Sequence, residues 1–129
     1  MHPTRVIAYT VPTMPFDSPL NIERISGAVP GTMILRLTGP LTLVAALALR
    51  SQLREVELPR LTILDLTGVP YVDSAGMSEI IHHEIYCRDK KVRMVVTGVN
   101  RRVLEMLKTT HLDKILTLKN TVEEAEVGA

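Results

Sequence analysis

The run Leu61-Thr-Ile-Leu-Asp-Leu66 limits what this chain can fold into more than any other stretch. A strand that is apolar at nearly every position, rather than at alternate ones, must be covered on both faces, as a central strand of a parallel sheet is. The flanking segments agree with this. Val92-Arg-Met-Val-Val96, closed by Thr97-Gly98, reads as a second buried strand and is expected to lie beside the first. Residues 32–38 alternate, with Met33, Leu35 and Leu37 on one side and Ile34 and Arg36 on the other. Together with residues 21–26 and the turn-like Gly27-Ala-Val-Pro-Gly31, they suggest a hairpin. Three helical patterns separate the later strands. Residues 41–56 carry the apolar stripe Ala46, Leu49, Leu53 and Val56, and the segment from Ser74 to Arg88 carries Met77, Ile80, Ile81 and Ile85. Asn100 opens a third helix with Val103, Leu104 and Leu107 turned inward. A last strand over 114–118 and a short helix over 121–127 complete the order β-β-α-β-α-β-α-β-α. The fold class is α/β, with a largely parallel sheet and an antiparallel edge.

A length of 129 residues fits one domain, large enough for a continuous core without staples. Because hydrophobic residues make up 46% and aromatic residues only 3%, that core must be aliphatic. Residues 1–20 hold Pro3, Pro12, Pro15 and Pro19 among small and polar residues and read as an extended N-terminal arm. The domain proper is assigned to residues 21–129. Lys plus Arg number 15 against 14 for Asp plus Glu, a balance that argues against a nucleic-acid binder resting on a broad basic field. A single cysteine, Cys87, excludes an internal disulfide and the common structural zinc frameworks. No apolar run approaches the roughly 20 residues of a membrane span. Met1-His-Pro-Thr-Arg5 lacks the apolar core of a secretory signal, so a cytoplasmic domain without membrane insertion is the default.

The chemistry-bearing stretch is Asp73-Ser74-Ala75-Gly76, which follows the central strand and a short loop. A serine where a helix should begin is expected at the N-cap, beside unpaired backbone N–H groups and the positive end of the helix dipole. A phosphate added there would meet an anion-favouring environment. On spacing alone, an ordinary cap is the plainer reading. A nucleophile elbow needs G-x-S-x-G, whereas this chain has Val72-Asp-Ser-Ala-Gly76 and nothing that marks His82, His83 or His111 as the base. Glu79, His83 and Cys87 share an i, i+4 face, but no distant Cys or His pair completes a metal site, so they read as a solvated helix face. Neither a Walker A nor a dinucleotide glycine pattern is present, and no cofactor is expected. The cluster Arg88, Lys90, Lys91 and Arg93 suits a helix C-terminus. Arg101-Arg102 opens a helix, where the dipole does not favour cations, and is a candidate contact for an acidic partner or a phosphate. Gly76, in the first turn of its helix, allows something to approach the backbone closely. Leu43, Val44 and Leu47 fall off their helix's apolar stripe; either some of them are exposed beside the serine loop as part of a contact patch, or the helix is buried on two sides.

The segment Leu64-Asp-Leu-Thr-Gly-Val-Pro-Tyr-Val-Asp-Ser-Ala-Gly-Met77 resembles the central motif of STAS domains, in particular those of bacterial anti-sigma-factor antagonists. The likeness continues through Val95-Val-Thr-Gly-Val-Asn100, Arg102-Val-Leu-Glu-Met-Leu107 and Leu112-Asp-Lys-Ile-Leu116. It implies a mixed sheet of about four or five strands with helices mainly on one side. It also implies a non-enzymatic role, the binding of an anti-sigma factor of the serine-kinase type. The serine aligned with Ser74 would be phosphorylated to break that contact, and a serine phosphatase would restore it. The partner surface so implied comprises Asp73, Ser74, Ala75, Gly76 and Met77, with Thr42 and Val44 from the neighbouring helix start. Where many antagonists have a G-E-L-D-like stretch, this chain has Gly39-Pro-Leu-Thr42, without a carboxylate. Self-association as a homodimer is compatible with the family. The alternative within it is a STAS subunit of another assembly, stressosome-like or transporter-linked, with no phosphoswitch.

Overall fold

The computed structural model describes residues 6–11, 20–54 and 58–128. Their strands form one six-stranded sheet in chain order: β1 (Val6–Val11), β2 (Leu20–Ser26), β3 (Thr32–Thr38), β4 (Leu61–Gly68), β5 (Arg93–Thr97) and β6 (Leu118–Lys119). The first three pair antiparallel, and β3 through β6 pair parallel. Each parallel step is made by a crossover: α1 (Leu43–Arg54), α2 (Ser74–Asp89) and then α3 (Arg101–Thr109) with a short 3₁₀ turn at Leu112–Lys114. The helix α4 (Val122–Val127) ends the described chain.

The central strands are placed as their composition requires. Every residue from Leu61 to Leu66 is buried, and β4 lies beside β5 with Ile63 opposite Val95 and Leu64 opposite Val96. Alternation divides the strand between two cores. Leu64 and Leu66 join the larger cluster with Leu35, Leu49, Ile80, Val103 and Leu107, under α1, α2 and α3. Leu61 and Ile63 join Ile25, Ile34, Val95 and Ala125 on the opposite face, under α4.

Four expectations change. Residues 6–11, assigned to an arm, are a strand on the antiparallel edge, and they raise the sheet from the expected four or five strands to six. The arm's four prolines, together with Val56 and Glu57, lie outside the described residues. The last strand is two residues at 118–119 rather than 114–118, because the chain after α3 satisfies its backbone locally. Ile115 and Leu116 both donate N–H to the Leu112 carbonyl, at 3.0 and 3.1 Å, after His111 adopts the left-handed conformation at φ 62°. The buried face of α2 is also rotated from the one expected. It runs through Met77, Ile80, His83, Glu84 and Cys87, a continuous i, i+3, i+4, i+7 line, while Ile85 is 55% exposed. His83 and Cys87 are therefore core residues, not a solvated face.

Candidate functional site

β4 ends at Gly68, and the loop after it is fastened from two sides. Leu41 and Val72 form an isolated parallel bridge, with Leu41 N–H on the Tyr71 carbonyl and Asp73 N–H on the Leu41 carbonyl, both at 3.1 Å. On the other side, the Asn100 amide Nδ2 donates to the carbonyls of Val69 and Pro70, at 3.2 and 3.0 Å. The same Asn100 caps α3, its Oδ1 accepting from Val103 N–H at 2.8 Å, as expected. Beneath the loop, the buried Asp65, paired with a half-exposed Arg36, holds the end of β4. Asp65 accepts from Arg36 Nε at 3.2 Å, from Thr67 N–H at 3.1 Å and from Thr67 Oγ1 at 2.6 Å. Sequence reasoning treated Asp65 as one position of an apolar run. The signal available was its charge there, with a hydroxyl two residues later.

The capping residue of α2 is Asp73, not Ser74. With extended backbone at φ −87° and ψ −178°, Asp73 turns its carboxylate onto Gly76 N–H at 2.8 Å. Its second oxygen accepts from Leu43 N–H, the first residue of α1, at 3.1 Å. One carboxylate thus ties the starts of two helices together. A charged acceptor is the stronger choice where two sets of unpaired N–H groups and two dipoles converge. Ser74 is the first helical residue and is exposed, its hydroxyl spared from capping. Ala75 is half-buried. Gly76 and Met77 are buried: a Cβ on Gly76 would stand 2.4 Å from the Leu41 carbonyl oxygen, and Met77 is 4% exposed. The close approach that Gly76 permits is made by the chain itself. Gly76 and Met77 support the surface from below rather than forming it.

Across the Asp73 bridge stands the beginning of α1. Thr42 is half-buried, with its carbonyl accepting from Ala46 N–H at 2.7 Å, so it sits where the helix starts. Ala45, Ala46, Leu49 and Leu53 face the sheet, whereas Leu43, Val44 and Leu47 are 60%, 41% and 56% exposed. The apolar patch expected beside the serine loop is present. On the other flank, Tyr71, Val72 and Asp73 line a concavity of about 310 Å³ with Arg102, Val103 and Met106 of α3.

The inner face of α2 is ionic but closed. Glu79, 2% exposed, pairs with Arg50 Nε of α1 at 2.9 Å. Glu84 pairs with Arg88 at 3.1 Å; burial raises its pKa, and the Arg88 charge opposes that rise. Cys87 Sγ lies 3.4 Å from His83 Nε2, and burial, followed by the Glu84 charge, pushes the thiol up to about 11. A thiol held that far from ionisation is a packing group rather than a nucleophile. Among the described residues no cluster of His, Cys, Asp or Glu comes together to hold a metal. No described helix is long and apolar enough to cross a membrane.

The family model for the STAS domain matches residues 21–125. The chain belongs to the STAS domain family. Among solved structures, an anti-sigma factor antagonist from Mycobacterium paratuberculosis is 20% identical, with a TM-score of 0.74 over 84% of this chain and 92% of that one. A sulfate transporter family protein from Wolinella succinogenes is 24% identical, with a TM-score of 0.69 over 77% of this chain and 85% of that one. The Bacillus cell fate determinant SpoIIAA in its phosphorylated form is 16% identical, with a TM-score of 0.64 over 81% of this chain and 95% of that one. At these identities the structural likeness establishes the fold, an α/β STAS fold, and leaves the function to the site.

Proposed function

We propose that this STAS protein is an anti-sigma-factor antagonist of a partner-switching pathway. Unphosphorylated, it binds an anti-sigma factor of the serine-kinase type through Ser74, Ala75, Asp73, Thr42 and the exposed residues Leu43, Val44 and Leu47. The observation that carries this reading is the position of Ser74. It is exposed at the first turn of α2, is relieved of capping by Asp73, and lies one bridging carboxylate away from an uncovered apolar helix start. Such a hydroxyl can be modified without cost to the helix, and an apolar patch beside it gives a partner area to bury. The transfer breaks the terminal P–O bond of a nucleoside triphosphate held by the kinase and forms an O–P bond at Ser74 Oγ. The hydroxyl proton passes to a base on the kinase, and a nucleoside diphosphate leaves. The product adds nearly two negative charges at the centre of the contact, next to Asp73, so binding falls through repulsion and desolvation without refolding. A serine phosphatase resets the hydroxyl. The protein itself performs no catalysis and works in the cytoplasm.

The test is capture from the cells of origin with wild type, Ser74→Ala and Ser74→Asp as bait, followed by calorimetry with the captured protein. A soluble kinase-like partner is expected, held by wild type and Ser74→Ala and lost by Ser74→Asp. Equal affinity for all three would overturn the switch. The likeness to a sulfate transporter family protein favours a second reading, a STAS subunit of a transport assembly. Capture of a membrane transporter component, indifferent to Ser74→Asp, would establish that one instead.

A further inference from the structure

Among the described residues, Arg102 is a cation lining the groove beside the Ser74 loop that no acidic side chain pairs with. Its neighbour Arg101 pairs with Glu105 at 3.2 Å, whereas Arg102 makes no ion pair or hydrogen bond among the described residues. The guanidinium instead lies over the Tyr71 ring, 5.1 Å from its centroid. Stacking occupies the face of a guanidinium and leaves its in-plane N–H donors free. Arg102 and Asp73, the residue before Ser74, both line the 310 Å³ concavity. Asp73 turns one carboxylate oxygen to Gly76 N–H and the other to Leu43 N–H, and makes no ion pair with Arg102.

We propose that Arg102 is the counter-ion for a phosphate on Ser74. The inference rests on the phosphoswitch reading above and assigns the regulation of that site to a residue of α3. A phosphoryl group on Ser74 Oγ brings its oxygens to the rim that Asp73 forms. There it meets one like charge, the Asp73 carboxylate, from its own loop and one free opposite charge, Arg102, from the facing helix. The start of α1 contributes backbone and apolar side chains but no charge (Thr42, Leu43, Val44). The guanidinium fork suits two phosphate oxygens, and the Tyr71 platform holds it at the groove beforehand. The modified loop is thereby locked onto α3, with the phosphate held within the contact surface.

The pairing is read without any partner. Phosphoserine is installed at position 74 by an expanded genetic code, and the second ionisation of the phosphate is titrated by phosphorus NMR. This is done in the otherwise wild-type protein and in the Arg102→Gln, Arg102→Lys and Arg101→Gln backgrounds, at one ionic strength. A free phosphoserine ionises near pH ~6. The expected result is a value in Arg102→Gln about half a unit to one unit above that of the parent. Arg102→Lys should fall between the two and Arg101→Gln should match the parent, with all variants melting together. Identical titrations in the parent and Arg102→Gln, or an equal rise in Arg101→Gln, would overturn the pairing. Because the codon places the phosphate, the result does not depend on a cellular kinase. Failure of the switch would show as Ser74 unmodified in native cells, and failure of the pairing as titrations indifferent to Arg102.

Discussion

α1 and α2 begin at the same carboxylate and are built inside out relative to each other. α1 exposes Leu43, Val44 and Leu47 to solvent, while α2 buries Glu79, His83, Glu84 and Cys87. For a helix on a sheet, the ordinary pattern is apolar inside and polar outside. The two departures have different causes. The buried groups of α2 each make a contact within the fold, with Arg50, with Arg88 and between His83 and Cys87, though one Glu79 oxygen is left without a hydrogen bond. The exposed groups of α1 have no cover among the described residues. An inverted helix is thus evidence for a partner only where the inversion is left unsatisfied.

The largest expected effect tests α1 alone. Leu49, on the inner face of α1, is fully buried, and Leu47, two residues earlier, is 56% exposed. Leu49→Ala should cost about 2–5 kcal/mol in chemical denaturation, the range for a truncated core leucine. Leu47→Ala should stay within about 0.5 kcal/mol. Comparable losses at both sites would show that the outer stripe is packed and would remove the contrast with α2.

The next effect tests whether the buried charges of α2 are satisfied from α1. Arg50→Ala leaves the Glu79 carboxylate buried without its cation, and a cost of about 1–3 kcal/mol at neutral pH is expected. Arg50 is half exposed, which keeps the figure below that of a fully buried pair. Replacing both partners, Arg50→Met with Glu79→Leu, should recover most of the loss. Additivity of the two single changes would show that the pair is not the link between the helices.

Cys87 sharpens the same comparison through pH. Its thiol is raised from 9.0 to about 11 in the folded state, so between those values the native chain holds a proton that the unfolded chain has released. Stability should therefore fall as pH rises from about 9 toward 11, and the fall should vanish in Cys87→Ala once its lower baseline is subtracted. At neutral pH the native protein should react with a disulfide reagent at least about tenfold more slowly than in denaturant. Rapid labelling of the native protein would place Cys87 on an accessible face.

What was legible in the chain follows the same division. A run such as Leu61–Leu66 specifies its surroundings through its own composition, so the central strand, its neighbour β5 and the crossovers could be read locally. The start of α1 was only half legible, because residues off an apolar stripe are either exposed or covered by a second layer, and the structure shows the former. The face of α2 was not, because Ile81 and Ile85 attract the eye while the true line passes through ionisable residues. The contacts of Arg88 with Glu84 and of Arg50 with Glu79 are what let this face carry charge. β1 was hidden by the prolines around it, since edge pairing depends on β2 rather than on any pattern within residues 6–11. At the site, the Asp-Ser pair was found but the cap was assigned to the wrong member. Both residue types are good caps, and the choice is made by Leu43 N–H, a donor thirty residues away in sequence that accommodates only the carboxylate of Asp73.

The smallest expected difference decides that last point. Asp73→Ala removes one acceptor from α2 and one from α1, so a loss of about 1–2 kcal/mol is expected, at the upper end for a single cap. Ser74→Ala removes an exposed hydroxyl that caps nothing, and alanine is the best helix former, so the change should lie within about 0.5 kcal/mol of zero. Asp73→Asn keeps acceptors at one oxygen only and should fall between the two. Amide exchange adds a spatial check. In Asp73→Ala, protection should drop at Gly76 and also at Leu43, on a helix the mutated residue does not belong to, whereas Ser74→Ala should leave both unchanged. If Ser74→Ala were the costlier substitution, the serine would be holding α2 in place. A hydroxyl with a structural duty is a poor acceptor for a reversible phosphate, because each modification would loosen the helix it caps. If Asp73 carries the cost instead, the two adjacent residues divide the work. One fixes the inward packing that α1 and α2 share, and the other is left free on the outside where α1 is uncovered.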